Sequence, residues 1–128
     1  MKINKSGRSL SFFLDQKLCV VKYKMLKKII NLSLKKKIDT RICLHKNPKK
    51  GFQFMLICKL KNTNKYFYKH KYLKFFYIIK GRLKLNLIKK KVYLSQNKNI
   101  CYLMGKNIKS STSSITNYSL YLEVICKN

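Results

Sequence analysis

The stretch YKHKYLKFFYIIKG, Tyr68 to Gly81, decides how the rest of the chain is read. Its second half, KFFYIIK, is an apolar run of strand length ended by a glycine, followed by Arg82 and a second run, LKLNLIK. Two such runs around Gly81-Arg82 predict a strand pair joined by a tight turn. The first half has a different periodicity. Tyr68, His70 and Lys74 recur at intervals of two and four, and side chains two apart on a strand face the same side, so Tyr68 and His70 point to one face. An H-x-H-x3-E pattern at this spacing lets two imidazoles and a carboxylate close on one divalent ion. Here only the central histidine is present.

Further strands surround this stretch. Phe52 to Leu60, FQFMLICKL, alternates Phe52, Phe54, Leu56, Cys58 and Leu60 with Gln53 and Lys59, which predicts a half-buried strand with Lys59 turned to solvent. KKVYLS, NICYL and YSLYLEVI supply more short strands, with polar turns expected at Gln96-Asn97-Lys98 and along Ser110 to Ser114. Upstream, Met25, Ile29, Leu32 and Leu34 recur among lysines and predict one amphipathic helix from about Lys22 to Ile38. Asp39 to Gly51 contains the single proline and reads as a loop or short extended piece. Six or seven short strands after one helix imply a mainly β chain, an antiparallel sandwich or barrel. The expected division is an N-terminal segment with the helix, 1–40, and a barrel, 41–128.

Composition bounds the function. The 128 residues suffice for one domain that buries roughly two-thirds of its unfolded surface. A hydrophobic content of 46% marks a chain that folds, whereas 31 basic against 3 acidic residues, a net charge of +28, marks one that attracts polyanions. Alanine is absent, arginine is scarce, and residues with AT-rich codons dominate, so part of the lysine excess reads as codon drift on a solvated surface. Lysine instead of arginine also argues against specific base reading, which uses the bidentate guanidinium. Cys19, Cys43, Cys58, Cys101 and Cys126 are odd in number and contain no C-x-x-C pair. Buried reduced thiols in a cytoplasmic protein are expected, not a disulfide framework. Asp15, Asp39 and Glu123 are the only acids, and none adjoins His45 or His70 in sequence, which argues against paired-carboxylate hydrolysis. No run approaches the ~18 apolar residues of a membrane span. The short apolar run LSFFL near the N-terminus is interrupted by Asp15, so no signal-peptide core is expected. A transit peptide shares the chain's basic, acid-poor composition.

Tyr68-x-His70-x3-Lys74-x6-Gly81 has the spacing of the first cupin motif, H-x-H-x3-E-x6-G, with one histidine and the glycine in place. Together with Arg41-Ile-Cys-Leu-His45, Gln53-Phe-Met-Leu56, Asn62 at a turn glycine, Leu103 to Ile108 and Leu122-Glu-Val124, the chain resembles the WbuC-type cupins encoded in bacterial surface-polysaccharide gene clusters. The resemblance runs from about Arg41 to Val124. It implies a cupin-like barrel or jelly roll with an N-terminal helix, possible homodimers through edge strands, and a metal site whose four ligand positions are occupied here by Tyr68, His70, Lys74 and Ile108. Only His70 of these is a metal ligand, so no cofactor is expected unless other residues complete a divalent site.

Two readings of these residues stay open. Tyr68, His70 and Lys74 form a hydrogen-bonding, cationic pocket for an anionic small molecule or sugar derivative, with Lys106 opposite; or they are drifted residues around a neutral, structural histidine. His45 is read as a loop-packing residue. A second class of function follows from charge alone: an RNA-associated ribosomal or organellar protein, with Tyr66, Phe67, Phe75, Phe76 and Tyr77 stacking bases and lysines following phosphates. A continuous basic face would favour that reading. Lysines spread over every turn favour the drifted barrel, and non-specific nucleic-acid binding is compatible with either.

Overall fold

The computed structural model describes residues 2–6, 9–13, 22–47, 51–63 and 66–127, with side chains described for 22–44, 51–63 and 66–127. Strands β1 (Lys2–Ser6) and β2 (Ser9–Phe13) precede helix α1 (Tyr23–Lys36). Nine strands follow: β3 (Asp39–Asn47), β4 (Phe52–Leu60), β5 (Tyr68–His70), β6 (Leu73–Lys80), β7 (Arg82–Leu87), β8 (Lys91–Ser95), β9 (Cys101–Met104), β10 (Ile108–Ser114) and β11 (Tyr118–Cys126). They form a seven-stranded sheet, β1-β2-β3-β4-β11-β6-β9, and a four-stranded sheet, β5-β10-β7-β8. All pairings are antiparallel except β2 with β3, the two strands that α1 separates in sequence. A mainly β chain with one N-terminal helix is the fold class expected from the sequence.

Two apolar clusters hold the layers together. Met55, Ile57, Phe76, Ile78, Leu83, Leu85, Leu94, Met104 and Tyr121 fill the space between the sheets. Ile42, Leu56, Cys58 and Leu120 line the outer face of the large sheet, where Ile29 of α1 covers them. Strand β4 therefore buries both faces: Leu56 and Cys58 go under the helix, and Met55, Ile57 and Lys59 go inside the barrel. The expected half-buried alternation is corrected accordingly, with Phe52 exposed at the strand's start and Lys59 buried. Burial of the Cys58 thiol pushes its pKa up to about 11, opposed by a hydrogen bond to Ser33.

The helix lies within the expected span. It buries Ile29 and Ser33, the latter hydrogen-bonded to Thr40 at the start of β3, while Leu34 is turned outward. Lys37 ends it in the left-handed conformation, φ 53°, and its N–H donates to the Ser33 carbonyl. Lys35 and Lys36 place positive charge at the C-terminal end of the helix dipole.

Of the two alternatives for the segment from Asp39, the extended one holds and is longer than expected: Asp39 to Asn47 is a nine-residue strand, paired with β2 on one side and β4 on the other. Two expectations are overturned. The Ser/Thr run is strand β10, whose buried hydroxyls find partners: Ser114 Oγ lies 2.6 Å from Ser119 Oγ and donates to the Thr116 carbonyl, and Asn86 donates to Ser111 and Ser113. Strands β6 and β7 are not a hairpin. β6 pairs with β11 and β9, β7 with β10 and β8, and the chain changes sheets at Gly81. The turn at Gln96 to Lys98 is as expected, with Gln96 hydrogen-bonded to the Ile79 carbonyl. Of the described cysteines, Cys43 and Cys58 are buried as expected, Cys126 is half-buried and Cys101 is exposed. Cys19, and the lysines at 49–50, lie outside the described residues.

Candidate functional site

Between the sheets, at the end of the barrel where β5 crosses, the apolar filling gives way to a polar cavity of about 190 Å³. Strand alternation selects its lining. Asp39 and Arg41 come from β3, Met55, Ile57 and Lys59 from β4, Lys74 and Phe76 from β6, Tyr121 and Glu123 from β11, all pointing inward at intervals of two. Tyr68 and His70 of β5 and Ser110 and Thr112 of β10 face them from the small sheet, whereas the Ser111 hydroxyl is turned to the other face of β10, where it accepts from Asn86.

The cavity is organised by two ion pairs. Lys59 Nζ donates to Asp39 Oδ2 at 2.9 Å, and Lys74 Nζ lies 2.8 Å from Glu123 Oε1, each pair at least seven-eighths buried. Asp39 is held further by the Leu60 N–H at 2.9 Å and the Thr63 hydroxyl at 2.6 Å, both on Oδ1. These bonds tie the start of β3 to the end of β4. The Arg41 guanidinium lines the same cavity beside these two pairs.

Burial holds the His70 imidazole below its ordinary pKa of 6.5; Lys74 lowers it further, and Glu123 partly opposes them. His70 is therefore a neutral hydrogen-bonding group at pH 7. Its ring lies 6.5 Å from that of Tyr68, centroid to centroid. Tyr121, fully enclosed, is pushed well above its ordinary value of 10 by burial, with Glu123 adding to the rise and a hydrogen bond to Thr112 opposing it. It stays a neutral phenol.

The structure brings Tyr68, His70 and Lys74 together on one cavity, and sets Ile108 directly opposite His70 in the β5–β10 register. Lys106 is not opposite them: it sits exposed on the turn before β10, outside the cavity lining. The side chain of His45 lies outside the described residues. Of the five aromatic residues read as a stacking surface, Phe76 is buried in the core, Phe75 is half-buried, and Tyr66, Phe67 and Tyr77 are exposed. Sequence reasoning missed Asp39, Arg41, Lys59 and Glu123. Distance from the histidines along the chain misled it about the two acids, and Lys59 was assigned to the wrong face. A signal was present for Glu123 alone, an acid set within the apolar strand run YSLYLEVI, where a carboxylate calls for a partner.

No protein-family model matches the chain, and no curated protein matches its sequence. Solved structures match its fold. KdgF from Halomonas sp. superposes with a TM-score of 0.60 at 12% identity, over 70% of this chain and 81% of that one. A cupin superfamily protein from Desulfitobacterium hafniense gives a TM-score of 0.60 at 9% identity, over 70% and 78%. HppE, solved with Co(II) and Tris buffer, gives 0.59 at 12% identity over 68% of this chain and 52% of that one, so this chain spans about half its length. At such identities the likeness is one of fold, and the fold is that of a cupin barrel.

A divalent ion of the kind HppE holds does not fit the donors present here. Among the described residues no three His, Cys, Asp or Glu side chains converge. Both cavity carboxylates are already bonded to lysines, and the Lys74 ammonium beside His70 opposes a second cation.

Proposed function

We propose that this cupin-fold chain is a binding or accessory protein whose barrel cavity takes a small acid, or the acidic group of a sugar derivative. In this reading it is a cytoplasmic protein of the WbuC type, linked to surface-polysaccharide metabolism, in which the ancestral metal site has become an anion site. Tyr68 is the hydrogen-bond donor, His70 the polar anchor and Lys74 the anion partner. The observation that carries the reading is that Arg41, Lys59 and Lys74 line one cavity together with Tyr68 and a neutral imidazole. A low-dielectric wall strengthens the attraction of such groups for an acidic ligand that enters. The RNA-associated alternative is less well supported, because exposed lysines are distributed over α1 and the turns at Lys61, Lys71, Lys89, Lys98 and Lys106 instead of forming a single face.

The test is a thermal-shift and calorimetric titration with glucuronate, glucose 1-phosphate and neutral glucose on the wild type and on His70→Gln and Tyr68→Phe. Saturable binding of an acidic sugar, no binding of glucose, and loss of about tenfold or more in either variant are expected, the size of one or two hydrogen bonds to charge. Equal response of all three proteins would place the ligand elsewhere on the cationic surface. In parallel, metal content is measured after loading with zinc, iron or manganese and desalting. Near-stoichiometric metal that disappears in His70→Ala would overturn the anion-site reading.

A further inference from the structure

A second concavity, of about 800 Å³, opens at the edge of the barrel, between the turn that joins β7 to β8 and the turn that joins β9 to β10, and shares no lining residue with the first cavity. Its surface is apolar: Leu87, Ile88, Tyr102, Met104 and Ile108 line it, and Ile88 is 72% exposed at the tip of a turn closed by the Leu87 N–H on the Lys90 carbonyl. Lysines surround it. Lys69 on β5, Lys89 and Lys90 on the first turn and Lys109 on β10 all border the groove, and among the described residues no carboxylate does. Lys90 Nζ is held 5.7 Å over the Tyr102 ring, which keeps one ammonium against the apolar wall. The two described carboxylates, Asp39 and Glu123, are both committed inside the barrel, so neither neutralises this rim.

We propose that this groove binds the chain of a single-chain anionic amphiphile, with a phosphate or carboxylate head on the lysine rim. Charge complementarity selects the sign of the head: four ammoniums around one groove are costly to keep together without a counter-anion. The apolar lining selects the tail. A groove of this volume is within the range of small-molecule sites, and each methylene removed from water tightens binding by about fourfold. A monomeric amphiphile is favoured over a bilayer because Ile88 alone protrudes, while Leu87, Tyr102, Met104 and Ile108 are recessed where a single chain can reach them and a flat bilayer cannot. The site is independent of the cavity that holds His70.

The experiment is calorimetric titration of the full chain with decyl phosphate below its micellar concentration, with inorganic phosphate and decanol as the two half-ligands and phosphatidylglycerol vesicles as the bilayer. Three variants accompany the wild type: Ile88→Ser, the pair Lys89→Gln/Lys109→Gln, and the helix pair Lys35→Gln/Lys36→Gln, which removes the same charge far from the groove. Expected are one saturable site for decyl phosphate, at least about tenfold tighter than either half-ligand, weakened about fivefold or more by the first two variants and unchanged by the third. Equal weakening by the helix pair would show diffuse charge attraction and overturn the proposal. Binding to vesicles without binding to monomeric decyl phosphate would assign the face to a membrane and overturn it as well.

Discussion

Lys74 and Glu123 meet inside the barrel at 2.8 Å with almost no water around them. Such a pair costs desolvation on both sides, and its removal as a pair is tolerated far better than the loss of one member. Lys74→Ala is expected to lower the unfolding free energy by about 3–5 kcal/mol, because Glu123 is left buried and uncompensated. Lys74→Met with Glu123→Leu is expected to recover most of that loss, and urea denaturation of the two proteins measures the difference. His70 gives a second residue-scale prediction. Its folded pKa is depressed below 6.5, so below that pH the unfolded chain binds more protons than the folded one. The His70 contribution to stability is complete above about pH 6.5 and is lost as pH falls through the folded value. Melting temperature against pH should decline on the acid side in the wild type, and His70→Gln should remove that part of the decline. His70 was legible from sequence by its chemistry and spacing. Lys59 was not, since a lysine on an alternating strand is assigned to solvent unless its partner, here Asp39 twenty positions earlier, is already known to be opposite it.

At the scale of elements, the turn positions were more legible than the pairings they serve. Gly81 adopts φ +86°, and a Cβ there would sit 2.5 Å from the Tyr118 carbonyl oxygen and 2.7 Å from Thr116 Oγ1. Both the left-handed backbone and the contact with the connection from β10 to β11 require glycine. Gly81→Ala is therefore expected to destabilise by about 2 kcal/mol or more, read as a shift in denaturation midpoint at unchanged slope. Asn62, aligned by resemblance with a turn glycine, also has a left-handed backbone, φ 67°, as a residue with a short polar side chain tolerates. The strand FQFMLICKL was legible to the residue, because its length and β-branched, aromatic content leave no alternative. The partner of β6 was not legible. An apolar run, a glycine and another apolar run look alike whether the chain doubles back in one sheet or steps across to the facing sheet. Likewise β10 was hidden because its stability comes from hydroxyl partners on β7 and on the segment from Thr116 to Ser119, which only the fold supplies.

Over the whole molecule, the distribution of charge is more informative than its total. The chain has three acids, of which Asp39 and Glu123 are buried and ion-paired, so among the described residues the outer surface presents lysines and arginines without one exposed carboxylate. A compact body with a net charge of +28 repels itself, and screening or binding of anions relieves that repulsion more in the folded state, where charges are close, than in the expanded one. Raising sodium chloride from 20 to 500 mM is expected to increase the melting temperature by several degrees, the response of roughly 1 kcal/mol in a domain of this size. A polyphosphate at micromolar concentration should do the same by binding the native state preferentially. The interior pairs set the limit of the effect. They are shielded from salt, so Lys74→Met with Glu123→Leu should shift the curve without changing its salt slope, whereas replacing exposed lysines by glutamate on α1 should flatten it. A melting temperature that falls with salt would mean that attraction among surface groups outweighs repulsion, contrary to what the exposed lysines and the absence of exposed carboxylates among the described residues lead one to expect.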